Sequence, residues 1–429
     1  MTDMNRLMGS GEHHPSELNV DRLSTLPWEV LNNIYGKLTI LDAVRTSVLA
    51  KDWRYRWLAH SGFTLDSEVI AQRLNQEELN WDVVASAVNK FLRHHTSPIK
   101  SFSLKAFCSQ HYPDMYQWIQ YLSEQDVEVL AIRDLCNSYF KMPSYLFSFE
   151  KLKSLSLTTC AVRIPSTFTK FNFLNELILR DISICDPDLA RLICSCPLLE
   201  NLILWHIFGL KSLVIHAPRL TKLMIDTGFE DLFIGAAPIL STVIITASLR
   251  KPEDRVILNW HSVIRCLSGL GSLESLVLSG DLIKVLAADY GLENFPLRNN
   301  AVKYLTINNI SFQNVKVLRV CLSLLSSCHN IRSFRFSVYE FLRENWERFC
   351  FPQLENVTFI CPANVDMGCA VNFIEFVISQ SPNLMFLHIQ KGGNAAMEVI
   401  RVSSILQRFR WSCPRALLIF EQNGQFLLL

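Results

Sequence analysis

The sequence predicts an α/β chain: a short N-terminal set of three helices, then an irregular leucine-rich solenoid of parallel strands with a partly helical convex side. Two observations carry this. Apolar residues near the N-terminus recur at helical spacing, and from Ile99 onward a signature L-x-x-L-x-L, with apolar substitutions, returns many times. A chain of 429 residues, 49% of them apolar and 19% charged, can fill the long core such an array needs.

The first nineteen residues are polar and read as a disordered tail without the apolar stretch of a secretory signal. Pro27 falls where a helix tolerates proline, in a first turn, with Ser24 or Thr25 as caps. Val30, Leu31, Ile34 and Leu38 then share one helical face. A break at residues 37–41 precedes a second run, 42–49, which Asp42 can cap. A third segment, 51–57, is dense in aromatic and cationic groups. So few residues bury little area alone, which points to docking on a partner or neighbour.

The strand signature is clearest at Leu152-x-x-Leu155-x-Leu157, Leu174-x-x-Leu177-x-Leu179 and Leu199-x-x-Leu202-x-Leu204. It recurs from Leu210, Leu220, Leu273, Val302, Ile331, Leu354 and Leu384, with weaker copies from Ile99, Val127, Phe229 and Leu240. Most intervals leave room for a helical return, read at residues 81–94, 116–123, 187–195, 263–267, 317–327 and 370–379. Between Leu199 and Leu240 the copies lie about ten residues apart, which predicts a thin convex side with loops in place of helices.

Leu26-Pro27-x-x-Val30-Leu31-x-x-Ile34, then Ala43-Val44-Arg45-Thr46-Ser47-Val48-Leu49, then Trp53-Arg54-x-x-Trp57, resembles the F-box of plant F-box/leucine-rich-repeat proteins. The junctions Cys196-Pro197-Leu198-Leu199-Glu200, Cys328-His329-Asn330-Ile331-Arg332 and Ser381-Pro382-Asn383-Leu384 are similar to those of the same proteins. The tail, with Pro352-Gln353-Leu354-Glu355-Asn356-Val357, a helix at 373–379 and Ser412-Cys413-Pro414-Arg415-Ala416, resembles the FBD module that closes many of them. The resemblance implies an F-box at residues 20–62, a leucine-rich-repeat solenoid at 63–350 and an FBD-like continuation at 351–429.

It further implies a non-enzymatic subunit of a Skp–cullin–F-box ubiquitin ligase. A Skp-type adaptor, and through it a cullin, would meet Leu26, Pro27, Val30, Leu31, Ile34 and Val48, while Trp53 helps close the F-box core. Asp52 departs from the family, which usually has a basic residue there. Two other readings stand beside this one: a binding scaffold whose F-box no longer assembles a ligase, and a small-molecule receptor with its ligand seated in the solenoid.

Within each repeat the signature residues point inward, and the residue between the last two faces the concave side. In order these read Ser156, Ile178, Ile203, Val214, Met224, Phe233, Ile244, Val277, Thr306, Arg335, Thr358 and His388. The apolar middle, Ile178 to Val277, is a candidate groove for a protein target, with Trp205 and Phe233 as anchors. Two plainer explanations are that parallel strands favour β-branched residues on both faces, or that residues 281–300 fold back over the stripe. Arg332 and Arg335 beside Arg319 form a further candidate, a local anion site.

A net charge of +1 offers no general field for nucleic acid or an anionic membrane. The thirteen cysteines are scattered, and the pair Cys194–Cys196 lacks the spacing of a zinc site. No nucleotide loop, metal-ligand motif or nucleophile elbow is present, so no cofactor and no metal is expected. No apolar stretch approaches the ~20 residues that span a bilayer. The expected setting is cytoplasmic or nuclear, with thiols reduced.

Overall fold

The computed structural model describes residues 25–428 apart from the isolated positions 36, 39, 50, 55, 60, 111 and 290 and the segments 107–110, 135–139, 247–259, 291–296, 312–314, 341–349, 363–366, 393–415 and 423–424. The N-terminal expectations at residues 1–24, and most of the Ser412–Ala416 motif, lie outside the described residues.

The chain opens with helices α1 (Trp28–Tyr35) and α2 (Ile40–Arg45), followed by 3-10 turns at Thr46–Val48, Lys51–Trp53 and Arg56–Ala59. Pro27 stands just before α1, and its carbonyl accepts from the amides of Val30 and Leu31. Asp42 lies inside the first turn of α2, so it is not a cap; it pairs instead with Arg45 and Arg73.

Strands and returns then alternate: β1 (Gly62–Asp66), α3 (Ser67–Arg73), α4 (Trp81–His94), β2 (Ser101–Ala106), α5 (Tyr112–Ser123), β3 (Val129–Asp134), β4 (Phe140–Lys141), β5 (Ser154–Ala161), β6 (Glu176–Ser183) and α6 (Asp186–Cys194). The middle is strand-rich, with β7 (Asn201–Phe208), β8 (Ser212–Ile215), β9 (Lys222–Asp226), β10 (Asp231–Ile234) and β11 (Thr242–Ile245). Then follow α7 (Trp260–Gly269), β12 (Ser275–Ser279), α8 (Gly280–Asp289), β13 (Tyr304–Ser311), α9 (Val315–Ser327), β14 (Ser333–Glu340) and β15 (Asn356–Cys361). The chain closes with α10 (Met367–Ser379), β16 (Phe386–Lys391), β17 (Leu417–Gln422) and β18 (Gln425–Leu428).

One sheet runs the length of the solenoid in the order β1-β2-β3-β5-β6-β7-β9-β11-β12-β13-β14-β15-β16-β17-β18, with β4 pairing to β5. All its pairings are parallel except the closing β17–β18 hairpin. Every copy of the signature read from the sequence is a strand. Register follows the leucines: Leu155, Leu177, Leu202, Leu223, Val243 and Leu276 are successive cross-strand partners, and all are buried. At the C-terminal end the stack turns aromatic, with the Phe336 ring 4.7 to 5.2 Å from Phe334, Phe359 and Phe373.

The ten-residue spacing resolves differently from its expectation. Strands β8 and β10 leave the main sheet and pair with each other in a second, two-stranded parallel sheet. The cause is geometric, because neighbours in a parallel sheet need a crossover of about a dozen residues or more. Copies ten residues apart therefore alternate between two sheets. α6 packs beside β8 and α7 beside β10, so the convex layer is continuous and strands replace helices at its centre.

The described part of segment 281–300 belongs to this convex layer. α8 packs on α9 and β13, burying Leu282, Ile283 and Leu286, and the Asn299 amide donates to the carbonyls of Leu267 and Leu270 at the end of α7. It does not cover the concave stripe. Burial pushes the thiols of Cys196 and Cys328 up to about 12 and about 11. No helix among the described residues is long and apolar enough to cross a membrane.

Candidate protein-binding surfaces

The N-terminal helices divide their apolar side chains sharply. Leu31, Tyr35, Ala43, Trp53, Trp57 and Leu58 form a small core, with the Tyr35 and Trp53 rings 6.1 Å apart. The Tyr35 hydroxyl meets Thr46 Oγ1 at 3.1 Å, and Thr46 donates to the Ala43 carbonyl at 2.6 Å, which ties α1 to the end of α2. On the outside lie Pro27, Val30, Ile34, Val44, Val48 and Leu49, with Val48 84% and Leu49 61% exposed.

Val30 and Ile34 are one turn apart on α1, whereas Val44 lies on α2 and Val48 in the 3-10 turn that follows it. Of the candidate adaptor contacts, Pro27, Val30, Ile34 and Val48 are exposed and Leu26 is half-buried. Leu31 is only 2% exposed and Trp53 only 4%, so both belong to the core and neither side chain is offered to a partner. For Leu31 this corrects the sequence reading: it lies on α1 beside Val30 but on the inner side. Val44 and Leu49, which the sequence reading left out of the contact set, are exposed beside these residues and belong to the same motif. The Asp52 side chain lies outside the described residues.

The second surface is the concave face of the main sheet. Ile178, Ile203, Met224, Ile244 and Val277 are direct cross-strand partners on β6, β7, β9, β11 and β12, and each is half-buried. Val214 and Phe233 are not in this row. They pair with each other on β8 and β10, across the core, so the stripe of seven reduces to five on the concave side and two on the convex side. Phe233, 52% exposed, packs 5.5 Å from His216 and lines a convex cleft with Arg265 and Cys266. The ring of His216 lies over Gly235, where a Cβ would come within 2.1 Å of it.

Trp205 keeps its place on the concave face. Arg180 is its partner on β6, and the guanidinium sits 4.2 Å from the centre of the indole ring. Its indole N–H donates to His206 Nε2 at 3.2 Å, leaving the proton on Nδ1 to meet Asp181 Oδ1 at 3.1 Å. Thr159, Asp181 and His206 hold equivalent positions on β5, β6 and β7, and all are left-handed, with φ of 56°, 52° and 47°. Each kinks its strand without changing register, and the next residue, Cys160, Ile182 or Ile207, turns back into the core. Asn309 on β13 has the same conformation before the buried Ile310, so the position accepts four different residue types and a single sequence does not reveal it.

The anion candidate separates. Arg335 lies on the concave face between Thr306 and Thr358, whereas Arg319 is on α9 in the convex layer.

Fold and surfaces together define a leucine-rich solenoid preceded by a helical N-terminal segment with an exposed apolar side. A family model described as FBD-associated F-box protein At5g56370, LRR repeats, matches residues 115–276. The chain is 28% identical to F-box/FBD/LRR-repeat protein At1g13570 of Arabidopsis thaliana, over 94% of this chain and 99% of that protein. It is 22% identical to F-box/LRR-repeat protein At5g02910 over 85% of this chain and 87% of the relative, and 31% identical to F-box/LRR-repeat protein 13 over 43% and 40%; both are from Arabidopsis thaliana. The chain is thus related along nearly its whole length to plant F-box/leucine-rich-repeat proteins of the FBD-associated type, as its motifs indicate.

Proposed function

We propose that this protein is the substrate-recognition subunit of a Skp–cullin–F-box ubiquitin ligase. Residues 20–62 act as the F-box and bind a Skp-type adaptor, which links the chain to a cullin. Residues 63–350, with 351–429 as an FBD-like continuation of the same solenoid, bind the protein to be ubiquitinated. The chain supplies binding and no catalytic residue.

The observation that carries this reading is the exposed apolar set on the N-terminal helices. A segment whose inner apolar side chains are already used in its own core gains nothing from Val48 and Leu49 in water, and such a patch marks an interaction site. Full burial of each aliphatic side chain contributes about 1.5–3 kcal/mol. The adaptor contacts are assigned to Leu26, Pro27, Val30, Ile34 and Val48, joined by Val44 and Leu49, with Leu31 and Trp53 supporting them from within.

Gel filtration of the purified chain with a plant Skp-type adaptor tests the proposal. The intact chain co-elutes with the adaptor. Ile34→Asp and Val48→Asp abolish co-elution while the thermal midpoint holds, since neither side chain is in the core. Equal binding by these variants, or none by the intact chain, removes the ligase reading. Failure of the intact chain with success of Asp52→Arg points to a scaffold that has lost its adaptor.

A further inference from the structure

We infer that the concave face receives an extended acidic segment of the protein target, laid across the strands with its carboxylates over β3–β6 and its aliphatic side chains over β6–β12. This rests on the concave face being the target-docking surface, as proposed above, and adds the chemistry of what docks there.

The outward positions on the N-terminal half of the sheet carry charges of both signs, but most are already used. Lys105 is neutralised by Asp66 and Glu68, which together hold its ammonium above the ordinary lysine range. Glu176 accepts from the Ser154 hydroxyl and the Asn201 amide. Asp181 is held by His206, and Asp226 is buried. Two cations remain. Arg133 on β3 and Arg180 on β6 are exposed, face the same side, and have no carboxylate partner among the described residues. Thr158 lies between them in register and Trp205 follows Arg180, giving the row Arg133–Thr158–Arg180–Trp205.

Beside that row, two residues back along each strand, runs the apolar stripe Ile178–Ile203–Met224–Ile244–Val277. The two arginines therefore sit at the β3–β6 end of the aliphatic stripe, with Lys222 beside the stripe on β9 and Arg335 beyond it on β14. A guanidinium presents a planar fork of donors that matches a carboxylate, and Arg180 is oriented by its stacking on Trp205. At strand spacing the distance from β3 to β12 is about 29 Å, which an extended segment of roughly nine residues spans. A basic target segment would leave both arginines facing like charge, and a wholly apolar one would strand them without partners.

The test uses the full chain, immobilised through a terminal affinity tag with and without a Skp-type adaptor, and a degenerate library of peptides about nine residues long. The expected selection is Asp or Glu toward one end and Leu, Ile, Val or Met toward the other. Fluorescence anisotropy with a selected acidic peptide then shows about a tenfold weaker Kd for Arg133→Ala or Arg180→Ala, and weakening with added salt. The double reversal Arg133→Glu with Arg180→Glu shifts selection to Lys and Arg, with thermal midpoint and adaptor binding unchanged. Selection of basic or uncharged peptides, selection untouched by the reversal, or no selection at all overturns the inference. Loss of adaptor binding by the intact chain, with peptide selection retained, overturns the ligase reading alone.

Discussion

In the solenoid, Leu177, Leu202, Leu223 and their counterparts on each strand are sealed between the sheet and the convex layer, and every repeat borrows its seal from the next. In the N-terminal segment Val48 and Leu49 lie in water, and only six of the described side chains are buried, at the end of the core that runs on into the solenoid. One region completes itself by repetition. The other leaves apolar side chains exposed on its outer side. The difference teaches that apolar side chains near the N-terminus are placed where they add nothing to the fold, so the surface proposed to bind an adaptor can be altered without opening the core.

The largest expected effect is in the solenoid. Phe336 has no exposed surface and contacts three other phenylalanines, so Phe336→Ala costs about 3–5 kcal/mol in urea unfolding. Stacked repeats couple to nearest neighbours, and the damage should centre on β13–β16 with adaptor binding kept. Trp53→Ala should do the reverse. It opens the small core, costs about 3–5 kcal/mol within that segment, and ends adaptor binding while the main thermal transition stays. A single, lowered transition for the whole chain would show that the two regions fold as one, and the comparison would fail.

A smaller effect separates close packing from open turns inside the solenoid. At Gly280, where β12 passes into α8, a Cβ would lie 2.0 Å from the Asn309 carbonyl oxygen on β13. Backbone must shift to admit it, so Gly280→Ala should cost about 1–3 kcal/mol. Gly271 has nothing within 4 Å of an added Cβ, and Gly271→Ala should stay within about 0.5 kcal/mol of the parent in the same melts. Equal costs at the two sites would mean that neighbouring repeats tolerate sliding at the β12–β13 junction.

The fold was legible in the sequence wherever one residue pattern allows one geometry. The spacing of Leu174, Leu177 and Leu179 fits a strand with an inward face, and β6 is that strand. Short-range spacing carried less where two geometries satisfy it. The copies from Leu210 and Phe229 have the same pattern as those from Leu199 and Leu220, and only the length of chain between them decides which sheet each joins. That was enough to place Val214 and Phe233 on the wrong side. On the N-terminal helices the sequence identified the segment but not its inner side, because Val30 and Leu31 are adjacent and equally apolar. The bend at Asp181 and His206, and the stacking of Arg180 on Trp205, come from contacts between strands some 25 residues apart, which no local pattern records.

The joint between the two regions gives the smallest expected effect. Arg73 on α3 donates to both carboxylate oxygens of Asp42 on α2, at 2.8 and 3.0 Å, and so fastens the helical segment to the first solenoid turn. Both side chains are partly exposed, and pairs of that kind contribute at most about 1 kcal/mol and fade as salt rises. The apolar side of the same joint is better protected: Trp57 and Leu58 are buried in the core that continues through Phe63, Phe91 and Phe102. Arg73→Ala should therefore lower the N-terminal transition slightly at low salt and leave it unchanged at about 1 M salt, where the Debye length is near 3 Å. A loss that persists at high salt would mean that Arg73 holds the joint by packing as well as by charge. The helical segment would then be part of the first repeat, and the docking surface would be carried on a rigid extension of the solenoid.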